Sequence, residues 1–62
     1  MAEPFAPESI LVVNDDEASR YLAARLLAGA GYRVFEAGLG EEALECAVRE
    51  RPDVVVLDVN LP

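Results

Sequence analysis

The sequence predicts an α/β domain built on a parallel sheet, and three observations carry that prediction. Short apolar runs alternate with amphipathic stretches in the order β-α-β-α-β, which implies parallel strands joined by right-handed crossovers. Two of the runs, residues 10–13 and 54–57, are continuously apolar, as strands covered on both faces are. Each helical stretch opens on acids and meets a glycine or proline at its end.

Taken in order, residues 1–8 (MAEPFAPE) carry two prolines and two acids and read as a flexible leader or the end of a linker. Lacking a basic start and an apolar core, they are not a signal peptide. Residues 9–13 form the first strand, bounded by Asn14-Asp15-Asp16-Glu17. Residues 16–30 form the first helix, with Leu22, Ala23, Leu26, Leu27 and Ala30 as its expected apolar face. Asp16 and Glu17 suit a helix N-terminus, where negative charge is favoured, and Gly31 provides the stop. Residues 32–37 make a second strand whose mixed polarity suggests a sheet edge. A second helix covers residues 40–50, with Ala43, Leu44, Ala47 and Val48 facing inward, and Pro52 prevents its continuation. Residues 53–58 are the third strand, ending in an acid. Tyr21, Tyr32 and Phe35 read as packing residues. Cys46 reads as a small hydrophobe beside the second helix's apolar face.

Composition narrows the chemistry. With 53% hydrophobic residues the chain is not disordered, yet 62 residues bury a small core at best. A single cysteine and no histidine exclude an internal disulfide, Cys- or His-type zinc sites and a His-based triad. The composition fits a reducing, cytoplasmic setting. Twelve acids face five basic residues, all arginine, for a net charge of −7. That balance opposes binding of nucleic acid or anionic membrane by this segment and favours cations. The apolar runs are too short to span a bilayer.

Ligands of open parallel sheets bind beyond the carboxyl ends of the strands, where strand order reverses. If the second and third strands flank the first, the reversal falls between strands one and three. Asp15 and Asp58, 43 positions apart in sequence, then converge in one cleft. Two carboxylates there repel each other unless a cation or proton intervenes. Mg²⁺ suits such a site, being held by one or two carboxylates, water and phosphate. A carboxylate is also a nucleophile for phosphoryl transfer. Asp58 is accordingly the candidate acceptor.

The segments ILVVNDDEASRYLAARLLAGAGYRVFEA, GEEAL and PDVVVLDVNLP resemble successive landmarks of response-regulator receiver domains. The resemblance covers residues 9–62 and about half of that family's five-stranded, flavodoxin-like domain. It implies a parallel sheet with helices on both faces, truncated after the third strand. It further implies Asp58 as phosphoacceptor, Asp15 as principal acidic ligand of Mg²⁺ and Asn60 as a ligand through its backbone carbonyl. Pro62 fits the loop proline that follows. The implied partner is a histidine kinase or phosphotransfer domain, with an output domain elsewhere in the same chain. The implied activity is a signalling switch that catalyses its own phosphorylation, not a turnover enzyme. NDDEASRY is similar to receivers attached to sensor histidine kinases, which implies a hybrid kinase.

One departure concerns Asn14, where the family usually has a second acid. The amide keeps an oxygen and loses a charge, which weakens attraction for Mg²⁺. Asn14 is either a turn residue or a group that supports the metal from behind its direct ligands. Arg20 reads as a solvated residue paired with Asp16 four positions earlier.

A rival reading uses Gly38, Gly40 and Ala43 as a G-x-G-x-x-A dinucleotide turn, with Asp58 as the ribose-binding acid. Glu41 and Glu42 at the helix start oppose a pyrophosphate there. Another takes Asp58-Val59-Asn60 as the motif of an aspartate-nucleophile phosphatase, although in that fold the nucleophile strand comes first. In either receiver or rival, the third strand is apolar enough to be central. As an open edge it is expected to leave these residues unfolded, associated, or paired with another chain.

Overall fold

The computed structural model describes residues 8–57. In chain order the elements are β1 (Ser9–Val13), α1 (Glu17–Gly29), β2 (Arg33–Ala37), α2 (Glu41–Glu50) and β3 (Val54–Leu57). The three strands form one parallel sheet in the order β2-β1-β3. The expected β-α-β-α-β order, the edge position of β2 and the placement of β1 between its neighbours are all observed.

β1, apolar on both faces, is the central strand and the one whose apolar residues are all buried. Ile10, Leu11, Val12 and Val13 are all buried, with Leu11 and Val12 only 1% exposed. Burial of each such side chain stabilises the fold by about 1.5–3 kcal/mol. Leu11 and Val13 point to one side, where they meet Phe35, Ala37, Ala43, Cys46 and Ala47. This is the layer under α2. Ile10 and Val12 alternate to the other side, which α1 covers with its buried Ala24. The two helices do not touch each other. A two-faced central strand therefore receives one helix per face.

Helix ends follow from local chemistry. Asp16 is the N-cap of α1, and its carboxylate accepts the Ser19 N–H at 2.9 Å. At the other end, the Gly31 N–H donates to Ala28 O and the Tyr32 N–H to Leu27 O. Gly31 sits at φ 105°, so this is the left-handed glycine stop that closes a helix with two reverse bonds. α2 ends instead with Arg51 at φ 51°, a conformation that costs a non-glycine residue roughly 1–2 kcal/mol, and Pro52 follows.

The helical faces differ from the sequence expectation by a rotation. In α1 the sheet-facing residues are Arg20, Ala23, Ala24 and Leu27, while Leu22 and Leu26 stand exposed. In α2 the buried residue is Cys46, flanked by Ala43 and Ala47, while Leu44 and Val48 are exposed. The fully buried helix residues, Ala24 and Cys46, are small. Tyr21 is likewise exposed and takes a hydrogen bond from Arg25 at 3.0 Å instead of packing. Phe35 packs against the core as expected.

β3 pairs with β1 on one side only, and neither helix reaches it. Val55, Val56 and Leu57 are correspondingly exposed. Its register is set at its start by a clasp. The Asp53 carboxylate accepts the N–H groups of Glu8 and Ser9 at 2.9 and 3.0 Å, and the Asp53 N–H donates back to Ser9 Oγ and Ser9 O. The Glu8 N–H, then that of Ser9, holds the Asp53 carboxyl below its ordinary range.

Two predictions arise from this architecture. A carboxyl lowered by folding stabilises the protein above its unfolded pKa, and that contribution disappears as pH falls through the lower folded value. Asp53→Ala should therefore destabilise the full-length protein at neutral pH, and the gap to the parent should close in acid. Urea titrations across that range check it; a gap that ignores pH would show that the charge contributes nothing. The second concerns the open strand. The 62-residue chain by itself should be unfolded or associate through β3, and Val55→Lys should suppress any association. Sedimentation and hydrogen exchange decide between this and a stable monomer with protected β3 amides, which would overturn it.

Candidate functional site

The site lies where β1 ends. The sheet order turns around β1, and its register pairs Val13 with Leu57. Those two residues immediately precede Asn14 and Asp58 in sequence. This is the strand arrangement on which convergence of Asp15 and Asp58 was expected. Asp58, Asn60 and Pro62 themselves lie outside the described residues.

The three polar residues after β1 have separate tasks. Asn14 is 2% exposed and continues the sheet, its N–H donating to Ala37 O at 3.2 Å. Its side-chain Oδ1 accepts the Asp16 N–H at 2.8 Å, which is the turn bond an Asn makes two residues ahead. This bond is the turn role expected of Asn14. Asp16 is committed to the α1 cap. Hydrogen bonding by Ser19, aided by the charge of Arg20, holds its carboxyl below the ordinary range. Asp15 lies between them, exposed, and its carboxylate accepts no hydrogen bond among the described residues.

That division bears on a metal. Mg²⁺ requires oxygen ligands not already saturated by protein donors. Asp15 meets the requirement with both oxygens, whereas Asp16 Oδ2 already accepts the Ser19 N–H. Among the described residues no group of three or more His, Cys, Asp or Glu side chains could hold a metal. Asp15 therefore fits as one ligand of a site completed by other oxygens.

Arg20 departs from expectation. It does not bond the Asp16 carboxylate. Its Nη1 donates to the backbone carbonyl of Asn14 at 3.0 Å, and its Nε to Glu36 of β2 at 3.3 Å. The arginine thus ties α1 to β1 and β2 at the site. The one signal for this in the sequence was the lone acid, Glu36, in an otherwise apolar half of β2. An open groove of about 370 Å³ lies next to it, lined by Glu17, Ala18, Arg20, Tyr21 and Glu36. That groove is on the α1–β2 side and does not include Asp15.

The dinucleotide reading of Gly38, Gly40 and Ala43 fails on geometry. The strand before the glycines is the sheet edge, not its centre. The Gly38 N–H, which a pyrophosphate would need, donates to the Glu42 carboxylate at 3.0 Å. A Cβ at Gly38 would sit 3.0 Å from that same oxygen, so the glycine makes room for Glu42. Among the described residues, no helix is long and apolar enough to cross a membrane.

Comparison with known proteins agrees with this geometry. The family model described as response regulator receiver domain matches residues 10–62. The chain is 40% identical over 55 residues to sporulation initiation phosphotransferase F of Bacillus subtilis, covering 89% of the chain and 44% of that protein. It is 50% identical over 56 residues to response regulator MprA of Mycolicibacterium vanbaalenii, covering 90% of the chain and 24% of the relative. It is 49% identical over 55 residues to alkaline phosphatase synthesis transcriptional regulatory protein PhoP of Bacillus subtilis, covering 89% and 23%. The chain thus spans less than half the length of each of these relatives. No solved structure matches it. With the match running from the buried first strand to the last residue, the chain belongs to the response regulator receiver family.

Proposed function

We propose that residues 9–62 are the N-terminal half of a cytoplasmic receiver domain whose phosphoacceptor is Asp58, with residues 1–8 as a flexible leader or linker. The observation that carries this reading is the parallel pairing of Val13 with Leu57, which makes neighbours of the two strands that lead into Asp15 and Asp58. The family match through residue 62 and the Asp15 carboxylate, which accepts no hydrogen bond among the described residues, support it. The names of the relatives, a phosphotransferase and two regulators, agree with a place in a phosphorelay.

In this reading a histidine kinase or phosphotransfer domain presents a phosphohistidine. A carboxylate oxygen of Asp58 attacks the phosphorus in line, the new P–O bond forms as the P–N bond breaks, and the imidazole leaves with the electron pair and takes up a proton. Asp15, the backbone carbonyl of Asn60 and Asp58 itself would hold Mg²⁺, while Asn14 shapes the turn that presents Asp15. When bound, Mg²⁺ supplies positive charge against the phosphoryl oxygens. The protein is then a switch, phosphorylated once per signal and read by an output domain. Attachment to a sensor kinase rests on the resemblance of NDDEASRY alone.

Two measurements test this. The full-length protein, incubated with a small phosphodonor and Mg²⁺, should carry phosphate on Asp58 alone by mass spectrometry. Labelling should vanish in Asp58→Asn and without a divalent cation; phosphate on another residue, or undiminished labelling of the variant, sinks the assignment. Asn14→Asp keeps an oxygen for the Asp16 N–H and adds a charge beside Asp15, so it should bind Mg²⁺ several-fold more tightly in a calorimetric titration. Equal or weaker binding would mean that the added charge does not reach the cation.

A further inference from the structure

We propose that Arg20 is a positioning residue for the cation-binding loop, fixing the peptide that carries Asp15. This rests on the reading of Asp15 as a metal ligand and goes beyond it. The carbonyl that Arg20 Nη1 grips at 3.0 Å is that of Asn14, one half of the Asn14–Asp15 peptide. On the far side of Asp15, the Asp16 N–H is held by Asn14 Oδ1 at 2.8 Å. Both peptides flanking Asp15 are thereby anchored, while its side chain accepts no hydrogen bond among the described residues. A guanidinium suits the task because its donors lie in one rigid fork. Here one arm reaches the Asn14 carbonyl and another the Glu36 carboxylate at 3.3 Å.

The surroundings are shaped for this fork. The Arg20 side chain is 20% exposed, and the Glu36 side chain 37%. An ideal Cβ on Gly38 would lie 4.0 Å from Arg20 Nη1. The end of β2 thus lies against the guanidinium without crowding it. Arg20 is also the residue through which α1 touches the ends of both β1 and β2 by hydrogen bonds. Glu36 offsets its charge, so the arginine orders the loop without presenting an uncompensated cation to the metal.

Positioning and bare charge predict opposite signs. If Arg20 acted only as a positive charge near the site, removing it would tighten Mg²⁺ binding. If it anchors the loop, removing it weakens binding, by about ten-fold as for other groups that orient metal ligands. The experiment uses the full-length protein and titrates MgCl₂ calorimetrically into the parent, Asp15→Asn, Arg20→Gln and Arg20→Lys. Phosphoryl uptake is then followed at limiting and at saturating Mg²⁺. We expect Asp15→Asn to lose most binding and Arg20→Gln to weaken it about ten-fold. Arg20→Lys, which keeps the charge without the fork, should weaken it by less. The uptake rate of both Arg20 variants should return to the parental value at saturating Mg²⁺, a recovery that general unfolding would not allow. Unchanged or tighter binding in Arg20→Gln, or parental binding in Arg20→Lys should the first variant not fold, overturns the assignment. A rate that stays low at saturation also overturns it. Undiminished binding in Asp15→Asn overturns instead the site reading beneath it.

Discussion

Burial of β1 on both faces is the constraint on which the rest depends. Four successive apolar residues, 10–13, cannot be satisfied by one layer, because alternate side chains point to opposite sides of the sheet. Each face needs its own helix, and parallel pairing on both edges needs a strand on either side. The order β2-β1-β3 is one solution for a chain of this connectivity, and it brings the sheet's turning point to the end of β1. The position of the candidate site follows from a packing requirement.

At that turning point, polar groups are assigned by burial. Asn14 is the one buried polar residue among those described, and its backbone N–H, backbone carbonyl and Oδ1 are all engaged. A carboxylate in its place would be a buried charge, whereas the amide is neutral and isosteric. Asp16 and Asp15, both exposed, divide differently. Asp16 is spent on the helix cap, whose bonds favour its charged form. Asp15 is held by its backbone and leaves its carboxylate available. Three polar residues in a row thus acquire three roles from three environments.

Electrostatics gives the same region its preference. A chain with net charge −7 carries a field that draws cations toward acidic loops. Arg20 is offset by Glu36 and turned into the fold by its bond to the Asn14 carbonyl. The opposite end of the sheet uses an acid structurally, the Asp53 clasp on Ser9, which sets β3 in register. Acids therefore stand at both ends of the sheet, as a clasp at one and as an exposed carboxylate at the other.

Period and punctuation were readable without coordinates. Two-faced runs at 10–13 and 54–57, the Gly31 and Pro52 stops and the polar tint of β2 determined element order, parallel pairing and the edge position of β2. The acid cluster after β1 determined where a site would lie. Other features depended on distance between groups far apart in sequence. Leu22, Leu26, Leu44 and Val48 looked like core residues by spacing, yet they stand exposed, and Ala24 and Cys46 are the residues the helices bury. Arg20 looked like a local partner of Asp16. Its actual partners are Asn14, just past β1, and Glu36 on β2, brought within reach only when α1 lies down across them. Local pattern decides which face is apolar and where an element stops. Which residue finally touches which is decided by the docking of whole elements, and that is a property of the tertiary structure.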